Sequence, residues 1–130
     1  MVLGIDPGTR KCGFAVVERL GDKPVELGIA PLDAFVERLA ALTRTYPIDR
    51  VAIGCGTNAD TIVAAVRNTG LPYELVDERE TTIRARSRFF DDHPPRGWRR
   101  LVPRGMLLPD RPIDDYAALL IAERYLRLPR

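Results

Sequence analysis

Apolar positions change their period several times along this chain, and those changes outline its elements. Residues 2 to 6 (VLGID) are an apolar run closed by an acid, which predicts a short buried strand. Residues 12 to 19 (CGFAVVER) and 24 to 30 (PVELGIA) predict two more strands, with Gly21-Asp22 as the turn between them. Returns this tight leave no room for a crossover, so the three strands form an antiparallel meander. From 32 to 45 (LDAFVERLAALTRT) the period becomes helical. Leu32, Phe35, Val36, Leu39 and Leu42 fall on one stripe, Asp33 sits in the first turn, and Pro47 lies beyond the end.

Residues 50 to 55 (RVAIGC) return to a nearly continuous apolar run, as in a strand covered on both faces. A helix is predicted over 59 to 68 with Asn58 as its cap, a strand over 72 to 77 (PYELVD), and a helix over 80 to 90. Residues 91 to 112 contain five prolines and no clear period, so they read as a long loop. A last helix spans about 113 to 127. Three antiparallel strands followed by strands with helical crossovers predict a mixed α/β sheet with helices on both faces. The expected spatial order of its five strands is 3-2-1-4-5, with the first strand central and the second antiparallel to it. Residues 1 to 130 are expected to form one domain.

Composition narrows the class. Apolar residues make up 45% of the 130, which suits a packed core and excludes a disordered segment. No apolar stretch approaches the ~20 residues of a membrane helix, so no membrane partner is expected. The start, MVLGID, has neither a basic n-region nor an apolar h-region, so no signal peptide is expected. Two cysteines without a framework spacing suggest a reduced, cytoplasmic protein in which Cys12 and Cys55 are small buried strand residues. The net charge of +2 conceals an asymmetry: residues 1 to 78 carry 8 Lys+Arg against 11 Asp+Glu, and residues 79 to 130 carry 12 Arg against 7 Asp+Glu. Guanidinium forks match phosphate geometry, although an ordinary solvated surface would also account for them.

The chemistry concentrates at three acidic positions. Asp6 ends the first strand, Asp77-Glu78 end the fifth, and Asp114-Asp115 open the last helix. In the expected topology the first, fourth and fifth strands are parallel, so their carboxyl ends share the edge where ligands bind in open α/β sheets. Carboxylates gathered there would repel one another unless a hard cation such as Mg²⁺ or Mn²⁺ relieved the charge. Two such ions about 3.5–4 Å apart are one solution to phosphodiester cleavage. Each acid also has a plainer role. Asp6 before Pro-Gly suits a turn, Glu78 suits a surface pair with Arg79 or Arg10, and Asp114 or Asp115 suits a helix cap.

GIDPGTR (4 to 10), DERETT (77 to 82) and DDYAALLIAERY (114 to 125), in this order and spacing, resemble the three motifs of the YqgF-type Holliday-junction-resolvase-like family, the pre-16S rRNA nucleases. The resemblance implies an RNase H-like fold related to RuvC, a metal-dependent nuclease site and an RNA substrate, with 5′-end maturation of precursor 16S rRNA as its task. It matches Asp6 to the strand-one aspartate, Glu78 to the glutamate of DER and Asp114 to the helix aspartate. These would be the catalytic residues and the ligands of Mg²⁺ or Mn²⁺, with Asp77 and Asp115 as alternates. A helical wheel with Glu123, Arg124 and Arg127 on the exposed side does not choose between Asp114 and Asp115. RuvC places a glutamate after strand four, where this chain has Gly54-Cys55-Gly56. The chain also departs from the family by GCGTNAD at 54 to 60 and by an Arg- and Pro-rich loop at 91 to 112.

Around the acids stands a set suited to nucleic acid. Gly8 permits close backbone approach, and Thr9, Arg10 and Arg79 lie where phosphates would pass. Arg84 and Arg88 share a helix face. The loop supplies Arg96, Arg99, Arg100 and Arg104 around Trp98, with Arg111 before the last motif, a mixture suited to a single strand. Trp98, Leu101 and Val102 could instead pin the loop to the core, and His93 reads as an exposed loop residue. RNA is the favoured partner, DNA an alternative, and a homodimer an option that a junction resolvase would require. A strand aspartate followed by a Gly-Thr turn also occurs in actin-like ATPases, but these need two such domains, and 130 residues supply one. A non-cutting RNA-binding or transcription-associated domain is the remaining competitor.

Overall fold

The computed structural model describes residues 1–56, 58–77, 81–103 and 107–128, with the side chains of 81–83 outside that description. Five strands form one sheet: β1 (Val2–Asp6), β2 (Lys11–Val17), β3 (Glu26–Pro31), β4 (Arg50–Gly54) and β5 (Tyr73–Val76). Their spatial order is β3-β2-β1-β4-β5, as the pattern predicted. β2 pairs antiparallel with both β1 and β3, whereas β4 runs parallel to β1 and β5. The helices are α1 (Phe35–Thr45), α2 (Ala59–Arg67), α3 (Thr81–Asp92) and α4 (Asp114–Arg127). No described helix is long and apolar enough to cross a membrane.

Alternation along the strands builds two cores. Leu3 and Ile5 of β1, Phe14 and Val16 of β2, and Val51 and Ile53 of β4 pack with Phe35, Leu39 and Leu42 of α1 and Ile62 and Val66 of α2. The opposite face carries the small residues Gly4, Gly13, Ala15 and Ala52, with Val2 and Val17 at one end. On that face lies α4, through Ala118, Leu119 and Ala122, with Ala85, Phe89 and Phe90 of α3 beside it. A Cβ at Gly4 would collide with the Ala118 carbonyl and come within 2.8 Å of the Ala122 Cβ. The missing side chain is therefore what seats α4 on the sheet.

The structure also revises local expectations. A 3-10 turn over Leu32–Ala34 precedes α1, and Val36 is 63% exposed rather than part of the stripe. Asn58 occupies the position before α2 but makes no side-chain cap bond; its backbone is left-handed (φ 64°). Cys12 is buried as expected, but Cys55 lies one residue past β4 and is exposed. Glu123, assigned to the solvent side of α4, is buried and bonded to Arg88 of α3 at 2.7 Å. That contact uses Arg88 to join two helices. The long loop contains a 3-10 helix over Gly97–Leu101.

Candidate active site

Parallel pairing of β1, β4 and β5 brings Asp6, Gly54 and Val76 to one edge of the sheet. Cys55 donates its backbone N–H to Val76 O at 3.2 Å, which holds the ends of β4 and β5 together. Asp77 follows as an exposed residue. Glu78, Arg79 and Arg104 lie outside the described residues.

The start of α4 reaches this edge across β2. Asp6 is paired with Gly13, and a Cβ on Gly13 would overlap the Asp114 carbonyl and come within 2.8 Å of Asp115 N. The glycine thus lets the first turn of α4 rest against the β1–β2 pair. Cys12 of β2 lies near both acids. Its thiol is pushed up to about 12, first by burial and then by the negative charges of Asp6 and Asp114.

Asp114 and Asp115 have different surroundings. Asp115 is 6% exposed; it accepts a bond from its neighbour's backbone, Tyr116 N, at 2.9 Å and pairs with Arg111 at 3.4 Å. Asp114 lies 3.6 Å from Lys11 Nζ through Oδ2. No hydrogen-bond donor among the described residues reaches that buried oxygen. A buried oxygen without a donor is costly unless another positive centre serves it. The donor chemistry of Asp6 and Asp114, hard carboxylate oxygens meeting at a strand end and a helix start, fits a divalent cation of the Mg²⁺ or Mn²⁺ type. Among the described residues there is no group of three His, Cys, Asp or Glu suited to a metal.

The turn after Asp6 is held from a distance. Asn58 Nδ2 donates to Gly8 O at 2.8 Å, spanning fifty residues of sequence. Thr9 and Arg10 on this turn are exposed. Lys11 and Asn58 are the neighbours of the site that sequence reasoning missed. Lys11 directly follows GIDPGTR, so its place was readable; the Asn58 bond to a remote carbonyl was not.

The arginines separate into groups. Arg84 is exposed, whereas Arg88 is engaged by Glu123. Arg99 donates to Leu108 O and stacks over Phe90, Arg100 donates to Gly97 O at 3.4 Å, and Arg96 is exposed. Trp98 is 74% exposed and Leu101 88%, so neither pins the loop, although Val102 packs on the core.

A mixed sheet in this order, with a carboxylate at the end of its central strand and another opening the helix laid across it, is an RNase H-like fold. Residues 2–54 match the family model described as Crossover junction endodeoxyribonuclease RuvC. Over 96% of its length the chain is 28% identical to a protein of Pelotomaculum thermopropionicum named "Putative pre-16S rRNA nuclease", covering 85% of that protein. A Streptococcus suis protein of the same name is 29% identical, with 96% of each chain covered. Thermus thermophilus RuvC, solved in complex with a Holliday junction substrate, superposes with a TM-score of 0.62 at 17% identity, over 95% of this chain and 90% of that one. The chain is thus similar to RuvC over residues 2–54 and to these two relatives over nearly its whole length, in keeping with the family resemblance read from its motifs. What these likenesses support is a nuclease.

Proposed function

We propose that this protein is a metal-dependent nuclease that hydrolyses phosphodiester bonds of RNA, acting in 5′-end maturation of precursor 16S rRNA. Asp6, Glu78 and Asp114 are its ligands for Mg²⁺ or Mn²⁺. The observation that carries the proposal is the close seat of Asp114 against the Asp6–Gly13 pair, its buried Oδ2 lying 3.6 Å from Lys11 with no hydrogen-bond donor among the described residues. The names of the two bacterial relatives support the substrate.

A bound hard cation would lower the pKa of an attacking water and offset charge developing on the phosphate. The chain's own residues do the positioning. Asp6 is carried by the central strand, so its carboxylate has little freedom to move. Gly8 is tied through its carbonyl to Asn58, and a Cβ there would strike the Lys11 carbonyl, so the turn that follows Asp6 is closely packed. Lys11, 45% exposed, is a cation beside Asp114 that a passing phosphate can share.

The test is a cleavage panel of single-stranded RNA, precursor rRNA fragments, single-stranded DNA and four-way junctions, each with Mg²⁺, Mn²⁺ or EDTA. Metal-dependent cleavage of RNA that is lost in folded Asp6→Asn protein is expected. Full activity in Asp6→Asn would sink the ligand assignment, and cleavage of junctions alone would move the substrate to DNA.

A further inference from the structure

A cavity of about 540 Å³ opens between the end of α3 and the segment that follows it. That volume lies within the ~300–1,000 Å³ typical of small-ligand pockets. His93 and the guanidinium groups of Arg96, Arg99 and Arg111 line it, with the carboxylates of Asp92 and Asp110.

The aromatic part is built. The His93 ring lies on Phe89 with centroids 4.6 Å apart and planes 18° from parallel. Its Nδ1 faces Phe89 O at 3.2 Å, so Nδ1 carries the proton and the ring is held in place. One ring face is taken by Phe89, and the residue is exposed, so a planar group can stack on the other. The cationic part is built as well. Arg111 stacks over Phe89 at 5.1 Å and Tyr116 at 5.7 Å, and donates through Nη1 to Pro112 O. Arg99 stacks over Phe90 at 6.0 Å and donates through Nη2 to Leu108 O. A guanidinium has five N–H donors, so each arginine is oriented and still has donors beyond these bonds.

We propose that this cavity takes one unpaired nucleotide of the substrate strand, its phosphate held by Arg96, Arg99 and Arg111 and its base stacked on His93. A flat ring beside several guanidinium groups matches the two halves of a nucleotide. The two carboxylates disfavour a bare polyanion and offer acceptors to base N–H groups. Asp92 is fixed for this by the Tyr116 hydroxyl, which donates to its Oδ2 at 2.7 Å. Arg111 also pairs with Asp115, the neighbour of Asp114, which ties this cavity to the first turn of α4. The proposal deepens the nuclease reading and rests on it.

Binding is measured on the full chain in EDTA and low salt, by calorimetry and by Trp98 fluorescence, with AMP, adenosine and inorganic phosphate as probes. EDTA removes the metal, so the result is read separately from cleavage. Failure of the parent to cleave any substrate would count against the nuclease reading and leave the AMP result to be judged alone. AMP is expected to bind about tenfold more tightly than either fragment. Arg96→Ala and His93→Ala, both at exposed positions, are each expected to weaken AMP by about five- to tenfold, the scale of a lost charged hydrogen bond or stack. Circular dichroism checks that both variants stay folded. AMP binding no tighter than phosphate, or AMP affinity unchanged in both variants, overturns the proposal.

Discussion

The contact between Gly13 and the first turn of α4 makes a demanding prediction. An alanine in a strand is ordinarily favoured over glycine by about 0.5–1 kcal/mol, so on backbone grounds Gly13→Ala should stabilise. Here the added methyl overlaps the Asp114 carbonyl, a backbone group that no rotamer change can move, and sits 2.8 Å from Asp115 N. Restoring contacts of about 3.5 Å requires the start of α4 to retreat by on the order of 1 Å. Overpacking of this kind costs roughly 1–3 kcal/mol, so after the alanine's own gain a net loss of about 1 kcal/mol is expected, or roughly 3–5 °C in Tm for a chain this size. The same retreat carries Asp114 away from Asp6. A displacement of about 1 Å at reacting groups can cost ~100-fold in rate. Gly4→Ala is the control: it strikes α4 at Ala118 and Ala122, one to two turns further along. Both variants should melt earlier, but at 25 °C Gly13→Ala should lose far more RNA cleavage than Gly4→Ala. Thermal unfolding and cleavage rates on the same preparations decide. A Gly13→Ala protein as stable and as active as the parent refutes both the close approach and its role at the site.

Two further predictions concern the flank of α4. Arg88→Ala leaves Glu123 buried without its 2.7 Å partner; because Arg88 is itself partly exposed, a loss of about 2–3 kcal/mol in denaturant unfolding is expected, largely recovered in Arg88→Met/Glu123→Leu. The Tyr116 hydroxyl is raised to about 12, first by burial and then by its bond to Asp92. The folded state therefore holds this proton after the unfolded chain, near 10, has released it. Its contribution is fully present below pH 10 and is lost between pH 10 and 12, roughly 2 kcal/mol in all. Tyr116→Phe should flatten that part of the pH–stability curve, and an unchanged slope would remove Tyr116 as its source.

The strand order was legible because each element kept one period, and because antiparallel returns and parallel crossovers leave few ways to assemble five strands. What was illegible depends on groups remote in sequence. Glu123 reads as solvent-facing on its own helix and is buried only because Arg88 meets it from α3. Val36 fell on the predicted stripe because the wheel began at Leu32. The first residues are a 3-10 turn of about 3.0 residues per turn, so a count at about 3.6 loses phase before α1 begins. Cys55 continued an apolar run, yet β4 ends at Gly54 and the thiol emerges at the open edge. Of the site, Asp6 was readable as an acid at a strand end. The difference between Asp114 and Asp115 was not, since a wheel places both near one line and only their partners tell them apart.

Those partners explain how the seam of small residues serves the site. Asp115 is bound to Arg111, and Arg111 stacks on Phe89 of α3, so the first turn of α4 is gripped from its outer side. Gly13 lets the same turn press on β2 from below. A side chain at Gly13 would instead push that first turn off the sheet. The arrangement is therefore one in which close packing, stabilising through most of α4, is extended by one more turn to hold two like charges together. Burial of Asp114 Oδ2 beside Lys11, 3.6 Å away and with no hydrogen-bond donor among the described residues, is the energetic cost of that last turn.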